Sequence, residues 1–177
     1  MCIRDRSNLV DESDPYNIKR VKVVDAGNSA GRIIFIDNQN YNNGIQLNQI
    51  NGPESDLPVT FIFSALKPVV LTGTITGNVR MFFAGDFQFG MGTETVAYNG
   101  LTMFMSNGDM KICSSIWSYK NNPGGGFLSS DKDITIVESA SFQGQIQCRG
   151  NFKTSGLIQF NDSVLKAPGF TVPKGMK

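Results

Sequence analysis

Histidine is absent from the 177 residues of this sequence. A chain without histidine lacks the usual general base, the Ser-His and Cys-His nucleophile pairs and the commonest zinc ligand. Cys113 and Cys148 are far apart and form no CxxC pair, which predicts free thiols and leaves a disulfide between them open. We therefore predict a protein that is not an enzyme and holds no cofactor or metal.

Charge is also scarce, since charged residues make up 18% of the chain and the formal net charge is +1. Such a chain carries no basic stripe, which argues against nucleic acid as a partner. No apolar run approaches the roughly 20 residues that a membrane helix needs. We expect neither nucleic acid nor a membrane among its partners.

The residues that are abundant favour strands and turns. Glycine occurs 19 times and phenylalanine 13 times, a balance that disfavours helices. Between residues 75 and 89, apolar residues alternate with other residues, and a period of two is typical of a strand with one packed face. The sequence predicts an all-β protein.

The start of the chain does not look like part of a fold. Residues 1–6, MCIRDR, resemble a translated sequencing-adapter scar, and such a scar is left out of fold reasoning. Residues 7–20 are polar and irregular, which indicates an arm.

Turn chemistry divides the remainder. Asn-Gly occurs at 43–44, 51–52, 99–100 and 107–108, and this dipeptide is the strongest short marker of a β-hairpin. Residues 21–120 are therefore predicted to form a hairpin-rich, β-sandwich-like body. The Gly-rich stretch at 121–130 is predicted to be a linker.

In the last segment, residues 131–177, every sixth residue is apolar. A turn-former, most often glycine, commonly stands four residues later. This pattern predicts three-residue strands joined by corners, as in a single-chain β-solenoid or a trimeric β-prism, although an ordinary meander would also accommodate it. The apolar hexad positions are Ile134, Ala140, Ile146, Phe152, Ile158, Val164 and Phe170.

Three stretches of the sequence are candidate sites. GNSAGR (27–32) lacks the Lys-Ser/Thr ending of a phosphate loop, and we interpret it as a turn. The carboxylates Asp131 and Asp133 indicate a solvated loop, since nothing in the sequence indicates a cleft. Trp117 and Tyr119 stand two apart on one predicted strand, so both point the same way. They would form either a glycan-stacking platform or a buried or intersubunit contact.

The Asn-Gly turns followed by Gly-punctuated hexads resemble bacteriophage tail-fibre, spike and baseplate proteins over about residues 70–175. The resemblance implies a non-enzymatic virion structural or adhesion protein, located on the virion and therefore extracellular. It further implies a homotrimer, with other virion proteins and a host surface glycan as partners.

A second resemblance lies in LTGTITGNV (71–79) and FQGQIQCRGNFKTSG (142–156), which are similar to segments of bactofilins. It implies a self-polymerising β-solenoid in the bacterial cytoplasm. A carbohydrate-binding module is the third alternative, and an exposed Trp117 and Tyr119 platform on a monomer would favour it.

Overall fold

The computed structural model describes residues 2–3, 12–13, 19–39, 41, 43–91, 96–98, 101–116 and 125–161. Within these ranges the regular elements are strands, and no helix occurs, so the all-β prediction is confirmed. The strands are β1 (Cys2–Ile3), β2 (Glu12–Ser13), β3 (Lys19–Asp25), β4 (Ile33–Ile36), β5 (Ile45–Asn51), β6 (Val59–Phe63), β7 (Val69–Leu71), β8 (Ile75–Thr76), β9 (Val79–Phe83), β10 (Phe87–Phe89), β11 (Val96–Tyr98), β12 (Leu101–Ser106), β13 (Met110–Ile112), β14 (Ser115–Ile116), β15 (Gly125–Ser130), β16 (Ile134–Ile136), β17 (Ser141–Cys148), β18 (Phe152–Thr154) and β19 (Leu157–Phe160).

Pairing is parallel throughout the described strands, except where β2 pairs antiparallel with β3. Strands that pair in parallel are not consecutive in the chain, and they form three rows. The first row is β3, β5, β7, β10, β13, β16 and β18. The second row is the end of β5, then β8, β11, β14, the start of β17, and β19. The third row is β1, β4, β6, β9, β12, β15 and the end of β17.

The predicted hairpin-rich, β-sandwich-like body at 21–120 is wrong, because its strands pair in parallel. β12 follows the Asn-Gly at 99–100 and precedes the one at 107–108, yet it pairs with β9 and β15. Its chain neighbours β11 and β13 belong to the other two rows. The chain therefore turns a corner at 107–108 and continues into another row.

Glycine is needed at this corner for a reason other than hairpin geometry. A type I′ hairpin requires positive φ at both central residues, and Gly108 is not among the positive-φ glycines. We use the word level for one strand from each row, taken in chain order. A Cβ at Gly108 would instead lie 2.6 Å from the backbone nitrogen of Asp86, in the neighbouring level. The close approach of two neighbouring levels selects glycine here.

In the hexad segment, strand register follows the six-residue spacing only in part. Ile134 pairs with Phe152, three hexads later, and Leu128, just before the segment, pairs with Ile146 at the same separation. Phe142 and not the hexad residue Ala140 is the register partner of Ile158, so the spacing does not hold between β17 and β19. Gly144 has φ of +150° and lies where β17 passes from the second row to the third. Val164 and Phe170 lie outside the described residues.

The core lies inside the three rows. Alternate residues point inwards, so that β6 and β9 each show buried and half-buried positions in turn, as a strand with one packed face requires. Its centre is aromatic: the rings of Phe83 and Phe87 stack with centroids 4.0 Å apart, and Phe104 meets Phe87 edge to face at 4.6 Å.

Parts of the other predicted segments are also strands. Cys2 and Ile3, within the predicted scar, pair with β4, and β2 lies in the predicted arm. Within the predicted linker at 121–130, β15 pairs with β12 along all six of its residues.

Candidate functional site

One corner of the rows carries a ladder of acidic side chains. The Oδ1 of Asp86 accepts a hydrogen bond from the N–H of Asp109 at 2.9 Å, and the Oδ1 of Asp109 accepts one from the N–H of Asp133 at 3.2 Å. The Oδ1 of Asp133 in turn accepts the N–H of Asn151 at 2.8 Å. Each carboxylate thus ties one level of the rows to the next, which is a structural use of these groups.

The acidic pair found in the sequence, Asp131 and Asp133, is divided between two ion pairs. Asp131 lies 3.4 Å from the Nε of Arg149, and Asp133 lies 3.9 Å from the Nζ of Lys153. The N–H of Asn151 lowers the pKa of Asp133, helped by the Asn151 side chain and Lys153 and opposed by desolvation. A general acid needs a raised pKa, so this carboxylate is unsuited to that role.

Two buried serines line the same corner. The hydroxyl of Ser106 donates to the carbonyl of Gly85, and that of Ser130 donates to the carbonyl of Gly108, both at 2.7 Å. Each hydroxyl oxygen also accepts an N–H from the residue two positions later, at 3.0 and 2.9 Å. Both hydroxyls are occupied in stabilising the corner, as buried polar groups generally are.

The proposed stacking platform, Trp117 and Tyr119, lies outside the described residues, and its role stays a prediction. The GNSAGR stretch is followed by strand β4 and not by a helix, which fits the turn interpretation. Cys113 and Cys148 are both free thiols. Burial raises the pKa of the Cys113 thiol, opposed in part by the charge of Lys111, so this thiol is a poor nucleophile.

The outward sides of the rows differ in polarity. On the first row the outward residues are mostly polar: Gln46, Val70, Gln88, Lys111, Thr135 and Lys153. On β4, β6, β9 and β12 of the third row they are mostly apolar. We call this surface the outer apolar face, and it comprises Ile33, Phe35, Ile62, Phe82 and Met105, together with Thr60 and Arg80.

The outer apolar face is covered to different degrees along its length. Ile33 and Phe35 are 41% and 46% exposed, whereas Ile62, Phe82 and Met105 are half-buried. Beyond Met105 the same surface continues into a second buried cluster of Leu101, Met103 and Phe127, separate from the core inside the rows. The exposed part is therefore the end of a longer apolar surface.

Arg80 is the one charged residue of the outer apolar face. It lies between Thr60 and Met103 in the register of the row. Its Nε is buried and has no hydrogen-bond partner, and burial lowers the pKa of its guanidinium. A buried donor without an acceptor costs free energy, so Arg80 is a group that an anionic partner would stabilise.

The sequence contained a signal for this face that hairpin reasoning missed. RIIFI, VTFIF and RMFF are nearly continuous apolar runs. Parallel strands that are covered on both faces typically have such runs, without alternation of apolar and polar residues. The unpaired state of Arg80 has no signal in the sequence, because it depends on which residues lie next to it in the row.

The described part of the chain shows neither a metal-ligand cluster nor a membrane-spanning helix. Over the described ranges, no group of three or more His, Cys, Asp or Glu side chains is arranged to hold a metal ion. The same ranges include no helix with the length and hydrophobicity of a membrane span.

Comparisons with protein-family models, curated proteins and solved structures found no match to this chain.

Proposed function

We propose that this chain is a non-enzymatic structural or adhesion protein of a virion, a component of a bacteriophage tail fibre, spike or baseplate, folded as a single-chain β-solenoid. The observation that carries the proposal is the parallel register of the three rows, each of which pairs strands of the same chain level after level. Repeated levels of this kind give a stiff body whose stability is the sum of many similar contacts.

The structural role is supported by where the polar groups are used. The aspartates and serines of the corner are engaged in hydrogen bonds between levels. Side chains that stabilise the same position in successive levels serve rigidity, which a fibre or spike requires.

A trimeric β-prism was the alternative way to close the rows. The parallel pairing of described strands within one chain supports the single-chain form. The homotrimer, the virion location, the other virion proteins and the host glycan stay predictions from the resemblance.

The second candidate is a bactofilin-like polymer, favoured by the parallel repeat and by exposed apolar residues at the last described level. Phe152 occupies an inward position over Ile134, yet it is 39% exposed. Exposed apolar side chains at such a level are where another copy would pair end to end.

Electron microscopy of the purified chain in negative stain, together with a glycan-array experiment, tests the proposal. Discrete particles of uniform size are expected. Such particles support the proposal whether or not they bind glycans. Open-ended filaments would contradict the proposal in favour of the polymer. A monomer that binds glycans would contradict it in favour of a carbohydrate-binding module.

A further inference from the structure

The outer apolar face combines exposed large apolar side chains on β4, a parallel ladder beneath them, and a partly buried arginine whose Nε has no partner. The four levels from β4 to β12, with about 4.8 Å between strands and about 3.3 Å per residue, give a patch on the order of 300 Å². A patch of this size on a monomer is often functional.

Carboxylates of the sign that Arg80 would pair with lie at the edge of the outer apolar face where β6 and β9 begin. Glu54 and Asp56 are exposed and flank Ser55 in the turn before β6. The carbonyl of Ser55 accepts a hydrogen bond from Asn78 at 2.6 Å, two residues before Arg80. Leu57, in the same turn, is 60% exposed. None of the ion pairs found among the described residues joins Arg80 to Glu54 or Asp56.

We propose that a second copy of this chain packs on the outer apolar face, with a two-fold axis that runs along the strands between β6 and β9. This deepens the structural role proposed above, on which it rests, by naming how two copies contact each other, and it is an alternative to the homotrimer that the resemblance implies. Such an axis places β6 of one copy over β9 of the other, and β4 over β12. The order of the strands along the row therefore runs in opposite directions in the two copies.

The register of the third row fits this symmetry. Ile62 of one copy then faces Phe82 of the other, and Phe35 faces Met105, because these residues occupy one outward column at successive levels. An isologous contact is self-complementary in this sense. Apolar side chains meet apolar side chains across the whole column.

The same axis brings together the unpaired charges. Arg80 of one copy faces Thr60 of the other, next to the margin where the second copy's Glu54 and Asp56 lie. The Arg80 guanidinium of each copy gains a carboxylate acceptor from the other copy, so the dimer contains two such pairs. A two-fold axis along the row of strands would instead turn the strands of the second copy antiparallel to those of the first. This margin would then face the opposite end of the strands, beyond Phe63, and Arg80 would stay unpaired.

The pairing should be weak and transient, because two patches of about 300 Å² bury roughly 600 Å² in total, below the roughly 1,000 Å² that a stable specific interface usually exceeds. In light scattering after gel filtration over a wide concentration range, the mass should rise from 19.3 kDa towards twice that value. A mass that stays at one chain, or that reaches three chains, would overturn the two-fold contact. A discrete trimer would still agree with the proposed virion role, so the two proposals fail separately.

A matched pair of variants locates the contact. Phe35→Glu introduces a charge into the outer apolar face and should weaken dimerisation at least about tenfold, because an unpaired charge is costly to bury. Phe160→Glu replaces a phenylalanine that is 66% exposed at the other end of the rows, and it should leave dimerisation unchanged. Equal effects of the two variants would contradict the assignment.

A charge exchange tests the ion pair. Arg80→Glu should weaken dimerisation about tenfold, and adding Glu54→Lys with Asp56→Lys in the same chain should restore it. Circular dichroism checks that each variant is folded. If Arg80→Glu weakens dimerisation in a folded chain and the exchange does not restore it, the charge pairing is wrong. Should Arg80→Glu fail to fold, the Phe35 and Phe160 pair still decides the location of the contact.

Discussion

Phe104 is the residue whose truncation tests the core most severely. Its side chain is fully buried, and its ring contacts those of Phe83, Phe87 and Phe89, with centroid distances of 6.4, 4.6 and 5.5 Å. Burying a phenylalanine stabilises a protein by about 1.5–3 kcal/mol, and each well-oriented ring pair adds about 0.5–1.5 kcal/mol. With the cavity left behind, Phe104→Ala should lower the free energy of unfolding by about 4 kcal/mol.

The assay is urea unfolding monitored by circular dichroism, with Phe160→Ala as the control. Phe160 is exposed, so its truncation should change the free energy of unfolding by less than about 0.5 kcal/mol. Because neighbouring residues of β12 point to opposite sides, a register shifted by one residue would turn Phe104 outwards. A loss below about 1.5 kcal/mol for Phe104→Ala would therefore refute the orientation of β12 and the core built on it.

Two further predictions concern the corner of the rows. Gly108→Ala should destabilise the protein by about 1–3 kcal/mol in the same urea assay, because the new methyl group collides with the backbone of the preceding level. Gly27→Ala, where a Cβ meets only the Asp25 carboxylate at 3.5 Å, should be tolerated, and equal losses for the two would refute the close-approach explanation. Asp133 has a lowered pKa in the folded chain, so its stabilising contribution is complete well above the unfolded value of roughly 3.9. It is lost as the pH falls through that value towards the lower folded pKa. Asp133→Asn should therefore lose less stability than the wild type between pH 7 and pH 3, and an equal or larger loss would contradict this role.

The sequence predicted the strand content but not the pairing of the strands. Scarce helix formers and the alternation around residues 75–89 lead directly to strands. Asn-Gly suits a hairpin turn, but a corner between two rows accepts the same dipeptide. The choice depends on whether the next strand turns back or continues, and that is decided by contacts about 20 residues away along the chain. Local sequence does not contain this information.

The hexad spacing agrees with the register at one strand pair and not at the next. Ile134 pairs with Phe152, three hexads away, whereas Phe142 and not Ala140 pairs with Ile158. In the earlier levels the separation varies: Phe61 pairs with Met81 and Met81 with Phe104. Loops of different length between levels hide the period there. This irregularity explains why the sequence shows a repeat only in the last segment.

Nuclear Overhauser contacts between amide protons test most directly whether the strands pair in parallel within one chain. Contacts between β12 and β15 are expected, for example between Met105 and Ser129, which are register partners. No contact is expected between Phe104 and Lys111, which would face each other if 107–108 were a hairpin turn. Contacts between Phe104 and Lys111, without those between β12 and β15, would contradict the parallel rows and everything inferred from them.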